Sequence, residues 1–110
     1  GNIDNHLIRS EFPLDYKFSC ENIRVWITHI GGYPNRYSKR ISEGLKSEKV
    51  DLFICGHSHI LKVINDKKHN LLHINPGAIG KHGFHNKRTM VRFEIDGKKI
   101  ENLEIIEFNR

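Results

Sequence analysis

Two histidines with one residue between them directly follow an apolar stretch in the middle of the chain. Residues 51–60 read Asp-Leu-Phe-Ile-Cys-Gly-His-Ser-His-Ile, which is typical of a buried strand that ends at a glycine. In an extended backbone, residues two apart point to the same side, roughly 6–7 Å apart along the chain. His57 and His59 therefore present two imidazoles, a common type of metal ligand, at the end of a strand. The alternative interpretation is a pair of solvated loop histidines.

Two other places in the sequence offer side chains that bind metals. Asn2 lies near the start of the chain, and His29 ends the apolar segment Ile23–His29. Imidazole suits Zn, Mn, Fe or Ni, and an amide oxygen suits harder ions such as Mn. A structural zinc site would have four protein ligands, usually with cysteines among them. The residue types therefore favour an open metal site that supports hydrolysis.

Short strands and one helix would have to position these side chains. Ser38 is a reasonable N-cap for a helix that ends at about Lys46, with Ile41 and Leu45 facing inward. Open α/β sheets bind their ligands at the carboxyl ends of the strands, which is where the histidines lie. The predicted strands are Tyr16–Cys20, Ile23–His29, the apolar run after Asp51, Leu61–Ile64, Leu71–Ile74, Arg88–Ile95 and Ile100–Phe108, with hairpin turns at 21–22, 65–70 and 96–97.

A polar segment with several cationic side chains follows the Leu71–Ile74 strand. Asn75-Pro76-Gly77-Ala78 fits a type II turn, because glycine supplies the positive φ that this turn needs. The next residues, 79–86, carry Lys81, His82 and His85. We expect an ordered loop whose side chains contact an anionic substrate. A surface loop with ordinary solvated charge is the alternative.

The other titratable and aromatic residues have structural interpretations. His6 and His69 are predicted to lie at the surface. His73 alternates within a strand and is predicted to be a packed or capping residue. Asp66 is assigned to a hairpin turn, and Trp26 and the phenylalanines are assigned to the core.

Length and composition indicate one soluble globular domain over residues 1–110, or part of one. The hydrophobic fraction of 37% and the charged fraction of 28% exclude a disordered chain, and no apolar run approaches the length of a membrane span. No signal peptide opens the chain.

Cys20 and Cys55 lack a Cys-x-x-Cys partner and are predicted to be buried reduced thiols in a cytoplasmic protein. Because the first residue is Gly1 rather than Met, we expect a fragment or a processed chain.

The net charge favours an anionic partner. The formal charge is +5, which suits phosphate esters or nucleic acid. The lysines and arginines are, however, spread along predicted turns and strand edges rather than clustered with exposed aromatic residues. Nucleic acid is therefore not expected as a partner except as a substrate, and a small RNA-binding domain is the weakest functional alternative.

The sequence resembles the calcineurin-like metallophosphoesterase superfamily, and within it the small bacterial and archaeal phosphodiesterase branch. The resemblance rests on Gly1-Asn2-x-Asp4, Thr28-His29, Gly56-His57-Ser58-His59 and Asn75-Pro76-Gly77, in the order of the family. It spans essentially the whole chain. It implies an α/β fold in which this chain is the C-terminal part of a four-layer αββα sandwich, rich in β-strands and with one clear helix.

The resemblance also implies a function and a set of ligands. The complete protein would hydrolyse phosphoesters, with phosphodiesters expected over monoesters, by means of a hydroxide bound to two divalent metal ions. Asn2, His29 and His57 would bind one ion and His59 the other. Manganese is the expected metal, with zinc, iron or nickel as alternatives, and no catalytic residue is implied beyond the hydroxide.

Parts of the family pattern are missing from these 110 residues. The upstream Asp-x-His and Gly-Asp-x-x-Asp/Asn segments, which supply the other metal ligands, are absent. The chain would then hold at most half of the site, and we expect it to be inactive by itself. Ile3 stands where many members have a histidine near the leaving group, so protonation of the leaving group has no assigned residue.

A non-catalytic protein-interaction scaffold on the same fold is the main alternative, because one branch of the superfamily serves as a binding module. All the metal-site residues expected in this half are present, which favours the enzyme. A membrane is not an expected partner. An exposed hairpin edge in a partial sheet is compatible with a homo-oligomer.

Overall fold

The computed structural model describes residues 15–58, 60–77 and 87–109. In this part of the chain, seven strands and one helix are arranged as an α/β structure rich in strands. The elements are β1 (Asp15–Cys20), β2 (Ile23–Thr28), α1 (Lys39–Ser47), β3 (Leu52–Cys55), β4 (Leu61–Asp66), β5 (Leu71–Pro76), β6 (Lys87–Asp96) and β7 (Lys99–Asn109).

Five strands form one mixed sheet in the order β1-β2-β3-β5-β4. Its three inner strands, β2, β3 and β5, run parallel, and the two outer strands pair with them in antiparallel fashion. β3 lies at the centre, and its Leu52, Phe53 and Cys55 are buried, which confirms the predicted buried strand. Since parallel strands end at the same edge of a sheet, the residues after β2, β3 and β5 are brought together.

Helix α1 packs against one face of this sheet. It begins after Ser38, and Ile41 and Leu45 are buried as predicted. Gly44 faces the Trp26 indole so closely that a Cβ on Gly44 would lie 2.5 Å from a carbon of the ring. Glycine at this position therefore lets the helix approach the sheet.

The β6–β7 hairpin packs against the opposite face and forms a second, two-stranded sheet. A two-residue turn connects its strands, with Gly97 at a φ of +62°, as expected for a hairpin turn. The Asn22 N–H donates to the Gly97 carbonyl at 2.8 Å, which ties this turn to the β1–β2 turn. The apolar side chains between the sheets include the buried Ile23, Val25, Leu52 and Ile74 of the large sheet and Val91, Phe93, Ile95, Ile100 and Leu103 of the hairpin. The layers are thus helix, sheet and sheet, in agreement with the predicted sandwich.

The β4–β5 hairpin differs from its prediction at Asp66. Asp66 is the last residue of β4 and is 5% exposed, so it is not a solvated turn residue. The turn folds back so that the Lys68 and His69 N–H groups donate to Asp66 Oδ1. This draws the His69 ring onto the Asp66 carboxylate and leaves its side chain only 12% exposed. The prediction of a surface histidine at this position was wrong.

Two phenylalanines also depart from the predicted core. Phe18 and Phe108 are each 38% exposed, because Phe18 lies on the edge strand β1 and Phe108 near the end of β7. Phe18 contacts the ring of Tyr16, which is itself exposed, and the Arg88 guanidinium lies over the ring of Phe108.

The predicted turn at residues 75–78 is seen in part. β5 continues to Pro76, which pairs with Leu61, so the strand is longer than expected. Gly77 has a φ of +76°, which confirms the positive φ predicted for this glycine. Residue 78 lies outside the described ranges.

Both cysteines are free, Cys55 buried and Cys20 half-buried. Within the described residues, no helix is both long enough and apolar enough to cross a membrane.

Candidate metal centre

His29 and His57 meet at the carboxyl-end edge of the large sheet. Thr28 pairs with Cys55 in the parallel β2–β3 ladder, so the residues that follow these strands are neighbours. The Gly56 N–H donates to the His29 carbonyl at 2.9 Å and continues the ladder past the strand ends. The two imidazole rings lie with their centres 5.2 Å apart and their planes at 81°. Two histidines that are distant in the chain thus form one cluster, as the sequence predicted.

The separation of the two ring centres is compatible with a shared divalent cation, and equally with an edge-to-face contact between the rings. An imidazole nitrogen lies about 2.0–2.1 Å from a zinc ion that it binds, which places the ring centre roughly 3.2 Å from the ion. Two such rings on a tetrahedral ion have centres roughly 5 Å apart, close to the separation of His29 and His57. Imidazoles suit Zn, Fe or Ni, whereas Mn prefers oxygen ligands, so the two described donors fit the alternative metals named from the sequence better than manganese.

The backbone at His57 has an uncommon conformation. Its φ is +75°, in the left-handed region that residues other than glycine seldom adopt, although histidine is found there more often than most. Such a conformation costs on the order of 1–3 kcal/mol and persists where the surroundings fix it. The Ser58 N–H, which donates to the Gly56 carbonyl at 3.0 Å, closes this tight bend and directs the chain away from the strand.

Asn75 fixes the same bend from the neighbouring strand β5. Its side chain is 1% exposed, and its Nδ2 donates to the Gly56 carbonyl at 3.2 Å and to Ser58 Oγ at 3.1 Å. The Gly77 N–H donates to Asn75 Oδ1 at 3.0 Å. Sequence analysis noted Asn75 only as part of a motif. The structure shows that its amide connects the end of β5 to the residues on either side of His57.

The loop after β2 lies over the same edge. Tyr33 forms a hydrogen bond with Ser58 through their hydroxyl groups, and its ring packs against His73 with centres 5.6 Å apart. Gly31 lies against the Phe53 ring, where a Cβ would come within 2.6 Å of a ring carbon. Close packing at Gly31 thus holds the loop that follows His29 against the core.

Cys55 is near the histidines, and its Sγ donates to the Gly32 carbonyl at 3.5 Å. Burial raises the pKa of this thiol to about 11, so the thiol is protonated at neutral pH. This is in agreement with the prediction of a buried reduced thiol.

An ion pair anchors the start of α1 at this edge. Arg40 donates to Asp15 Oδ2 at 2.6 Å and to Thr28 Oγ1 at 3.2 Å, and the Trp26 indole N–H donates to Asp15 Oδ1 at 3.0 Å. Although burial opposes it, hydrogen bonds from Arg40, Trp26 and Thr28 lower the pKa of Asp15. Thr28, the residue before His29, is thereby connected to the helix.

A mostly buried polar cluster, which the sequence did not indicate, joins the loop before α1 to the β4–β5 hairpin. The Tyr37 hydroxyl donates to Asp66 Oδ2 at 3.0 Å, and the same oxygen lies 3.0 Å from His69 Nδ1. His73 is fully buried, with its Nδ1 3.5 Å from the Tyr37 hydroxyl, and its Nε2 has no hydrogen-bond partner within the described structure.

The ionisation of this cluster follows from its contacts. Although burial opposes it, hydrogen bonds from His69 and Tyr37 lower the pKa of Asp66. Burial and the Asp66 carboxylate raise the pKa of Tyr37. Burial lowers the pKa of His73 despite the nearby Asp66 charge, so a neutral imidazole is expected there. The packed position of His73 confirms its prediction.

The other predicted site residues lie outside the described ranges. These are the proposed ligands Asn2 and His59 and the substrate-loop residues Lys81, His82 and His85. Over residues 15–58, 60–77 and 87–109, no group of three or more His, Cys, Asp or Glu side chains could hold a metal ion. Of the four proposed ligands, the structure therefore describes His29 and His57.

Comparisons with known proteins identify a family and similar folds. A family model described as the calcineurin-like phosphoesterase superfamily domain matches residues 1–98. The chain is similar in structure to a single mutant of Vps29 from Entamoeba histolytica, with a TM-score of 0.64 and 16% identity over 99% of this chain and 67% of that one. It is also similar to the Thermotoga maritima protein TM1076, with a TM-score of 0.64 and 19% identity over 98% of this chain and 62% of that one.

A third similar structure contains a metal. Vps29 from Entamoeba histolytica complexed with Zn²⁺ matches with a TM-score of 0.60 and 14% identity, over 86% of this chain and 59% of that one. No curated protein matches the sequence. At these identities the structural similarities show the fold, and the chain spans 59–67% of the length of these three structures.

Proposed function

This chain belongs to the calcineurin-like phosphoesterase superfamily, and we propose that it supplies part of a divalent-metal site for the hydrolysis of phosphoesters. The observation that carries the proposal is the meeting of His29 and His57, whose ring centres lie 5.2 Å apart at the ends of adjacent parallel strands. The structure of Vps29 with Zn²⁺ supports metal binding on this fold.

The proposed centre holds two ions, with manganese preferred and zinc, iron or nickel as alternatives. Asn2, His29 and His57 are proposed as ligands of one ion and His59 as a ligand of the other. Bound divalent cations would lower the pKa of water and offset the charge that develops on a phosphoryl group. Asn75 fixes the bend that carries His57, which limits the reorganisation needed when a ligand binds.

The proposed substrate is a phosphodiester. A formal charge of +5 favours an anionic substrate, and Lys81, His82 and His85 are proposed to contact it. The proposed location is the cytoplasm. The remaining ligands are proposed to lie upstream in the complete protein, because the chain spans only part of the structures that it resembles.

The test is metal-dependent hydrolysis by the full-length protein. We expect MnCl₂ to stimulate cleavage of an aryl phosphodiester, and His57→Ala to reduce the rate by roughly 100-fold or more, because even residues that only orient a ligand are worth 10–100-fold. Lys62→Ala, at an exposed position of β4, is the control and should keep the wild-type rate. Equal rates in wild type and His57→Ala would refute the proposal.

A protein-interaction scaffold is the second candidate, and exposed apolar side chains near the site favour it. Ile30 and Ile60 are 49% and 54% exposed, and Ile30 directly follows His29. Large apolar side chains at the surface are common in binding sites for other proteins. If the folded full-length protein shows no hydrolysis with Mn²⁺, Zn²⁺, Fe²⁺ or Ni²⁺, the scaffold becomes the better account.

A further inference from the structure

Tyr33 has a fixed position beside the candidate metal centre. It lies in the loop that follows His29, and its hydroxyl bonds to Ser58, the residue after His57. Its ring packs against His73, which is fully buried. The side chain is therefore held at both ends, by ring packing and by the hydrogen bond.

The direction of this hydrogen bond follows from the other partners of Ser58. Its Oγ accepts from Asn75 Nδ2 at 3.1 Å and from the Ile60 N–H at 3.3 Å. A serine hydroxyl has two lone pairs and one proton. With both lone pairs occupied, the Ser58 proton is donated to Tyr33 Oη. The proton of Tyr33 is then available, since none of the described contacts of this hydroxyl accepts it.

We propose that Tyr33 donates this proton in a hydrogen bond to a non-bridging oxygen of the phosphoester bound at the metal centre. The inference rests on the proposed function. The hydroxyl takes part in an exposed hydrogen bond to Ser58, the residue after His57, so it lies close to the place where an anionic ester would be bound. A hydrogen bond from a neutral hydroxyl to a charged oxygen is stronger than a hydrogen bond between two neutral groups. Tyr33 forms no covalent bond to the substrate and keeps its proton.

The experiment uses the full-length protein loaded with Mn²⁺ and inorganic phosphate as the probe. Isothermal titration calorimetry of Tyr33→Phe should show a phosphate Kd about tenfold higher than wild type, as expected for loss of a hydrogen bond to a charged acceptor. The Kd for Mn²⁺ should stay within about twofold, because Tyr33 is not proposed as a metal ligand. Phenylalanine keeps the ring packing, and circular dichroism checks that the variant is folded. Tyr16→Phe, at an exposed position of β1, is the matched control and should leave both constants unchanged.

The outcomes separate this inference from the proposed function. A wild type that binds Mn²⁺, with the same phosphate Kd in Tyr33→Phe, would overturn the role of Tyr33 and leave the metal site standing. A variant that loses Mn²⁺ affinity in step with phosphate affinity would make Tyr33 a positioning residue and also overturn the inference. A folded wild type that binds no Mn²⁺ would overturn the proposed function, and the role of Tyr33 with it.

Discussion

At the level of single residues, the polar side chains near the site differ in how many partners hold them. Asp66 accepts hydrogen bonds from Tyr37 and from two backbone N–H groups, and it pairs with His69. A buried carboxylate with several donors is stabilised in its charged form. Removing a single donor is therefore expected to lower the free energy of unfolding, because the buried charge is then less well compensated.

Tyr37→Phe is expected to destabilise the fold. The substitution removes the hydroxyl that donates to buried Asp66 and leaves that carboxylate short of a donor, which costs about 1–3 kcal/mol. Urea denaturation of the full-length protein measures the change in the free energy of unfolding. Tyr16→Phe is the control, because Tyr16 is 59% exposed, and it should change stability by less than about 0.5 kcal/mol. Equal stabilities of the two variants would contradict a stabilising role for the hydrogen bond between Tyr37 and Asp66.

The stability contributed by Asp66 is expected to depend on pH. Its pKa in the folded protein is below the ordinary value of 3.8, so its contribution is present above that pH and is lost as the pH falls through the folded pKa. The stability difference between wild type and Asp66→Asn should therefore shrink as the pH is lowered from 6 to about 2. Asp96→Asn, at the exposed last position of β6, is the control. A stability difference between wild type and Asp66→Asn that stays constant with pH would show that the charge of Asp66 does not stabilise the fold.

At the level of elements, the site depends on the close packing of α1 and the parallel strands. α1 buries Ile41 and Leu45 against the sheet, and Arg40 joins its first turn to Asp15 and Thr28. The end of β2, and with it His29, is thus connected to the helix. A change in the distance between helix and sheet would reach the site through these contacts.

Gly44→Ala is expected to destabilise the protein, although the same change in an exposed helix is favourable by about 1 kcal/mol. The new methyl group would overlap the Trp26 ring, which is 2% exposed and cannot move away freely. Overpacking of this kind costs about 1–3 kcal/mol, and a thermal melt of the full-length variant measures it. Glu43→Ala, at the exposed neighbouring position, should leave the Tm unchanged. A rise in the Tm of Gly44→Ala would refute close packing at this position.

The sequence predicted those features that depend on local patterns. The strands, helix α1 and the Gly97 turn follow from apolar periodicity and turn residues, and the meeting of His29 with His57 follows from their places at the ends of strands. The side chain of Ser38, the predicted N-cap, makes no capping hydrogen bond. The cluster around Asp66 could not be predicted, because Tyr37 and Asp66 are 29 residues apart and nothing local indicates that they pair. The role of Asn75 was missed for the same reason, since it depends on the β3–β5 pairing. For Asn75, its place directly after a predicted strand was the only signal, and Asp66, which was assigned to a turn, gave none.

At the level of the whole molecule, the described part of the chain forms a helix, a mixed sheet and a second sheet around two apolar interfaces. His29 and His57, the two described histidines of the candidate centre, directly follow the ends of β2 and β3. Asn75, on β5, holds the bend at His57. The architecture therefore brings together residues that are almost 50 positions apart, His29 and Asn75. The central claim is that this edge of the sheet binds metal.

An anomalous difference map from crystals of the full-length protein soaked in MnCl₂ tests that claim most directly. We expect an anomalous peak within about 2.5 Å of an imidazole nitrogen of both His29 and His57, since metal–nitrogen bonds in proteins are only slightly longer than 2 Å. A fully occupied manganese peak elsewhere on the protein, with none between these two rings, would contradict it.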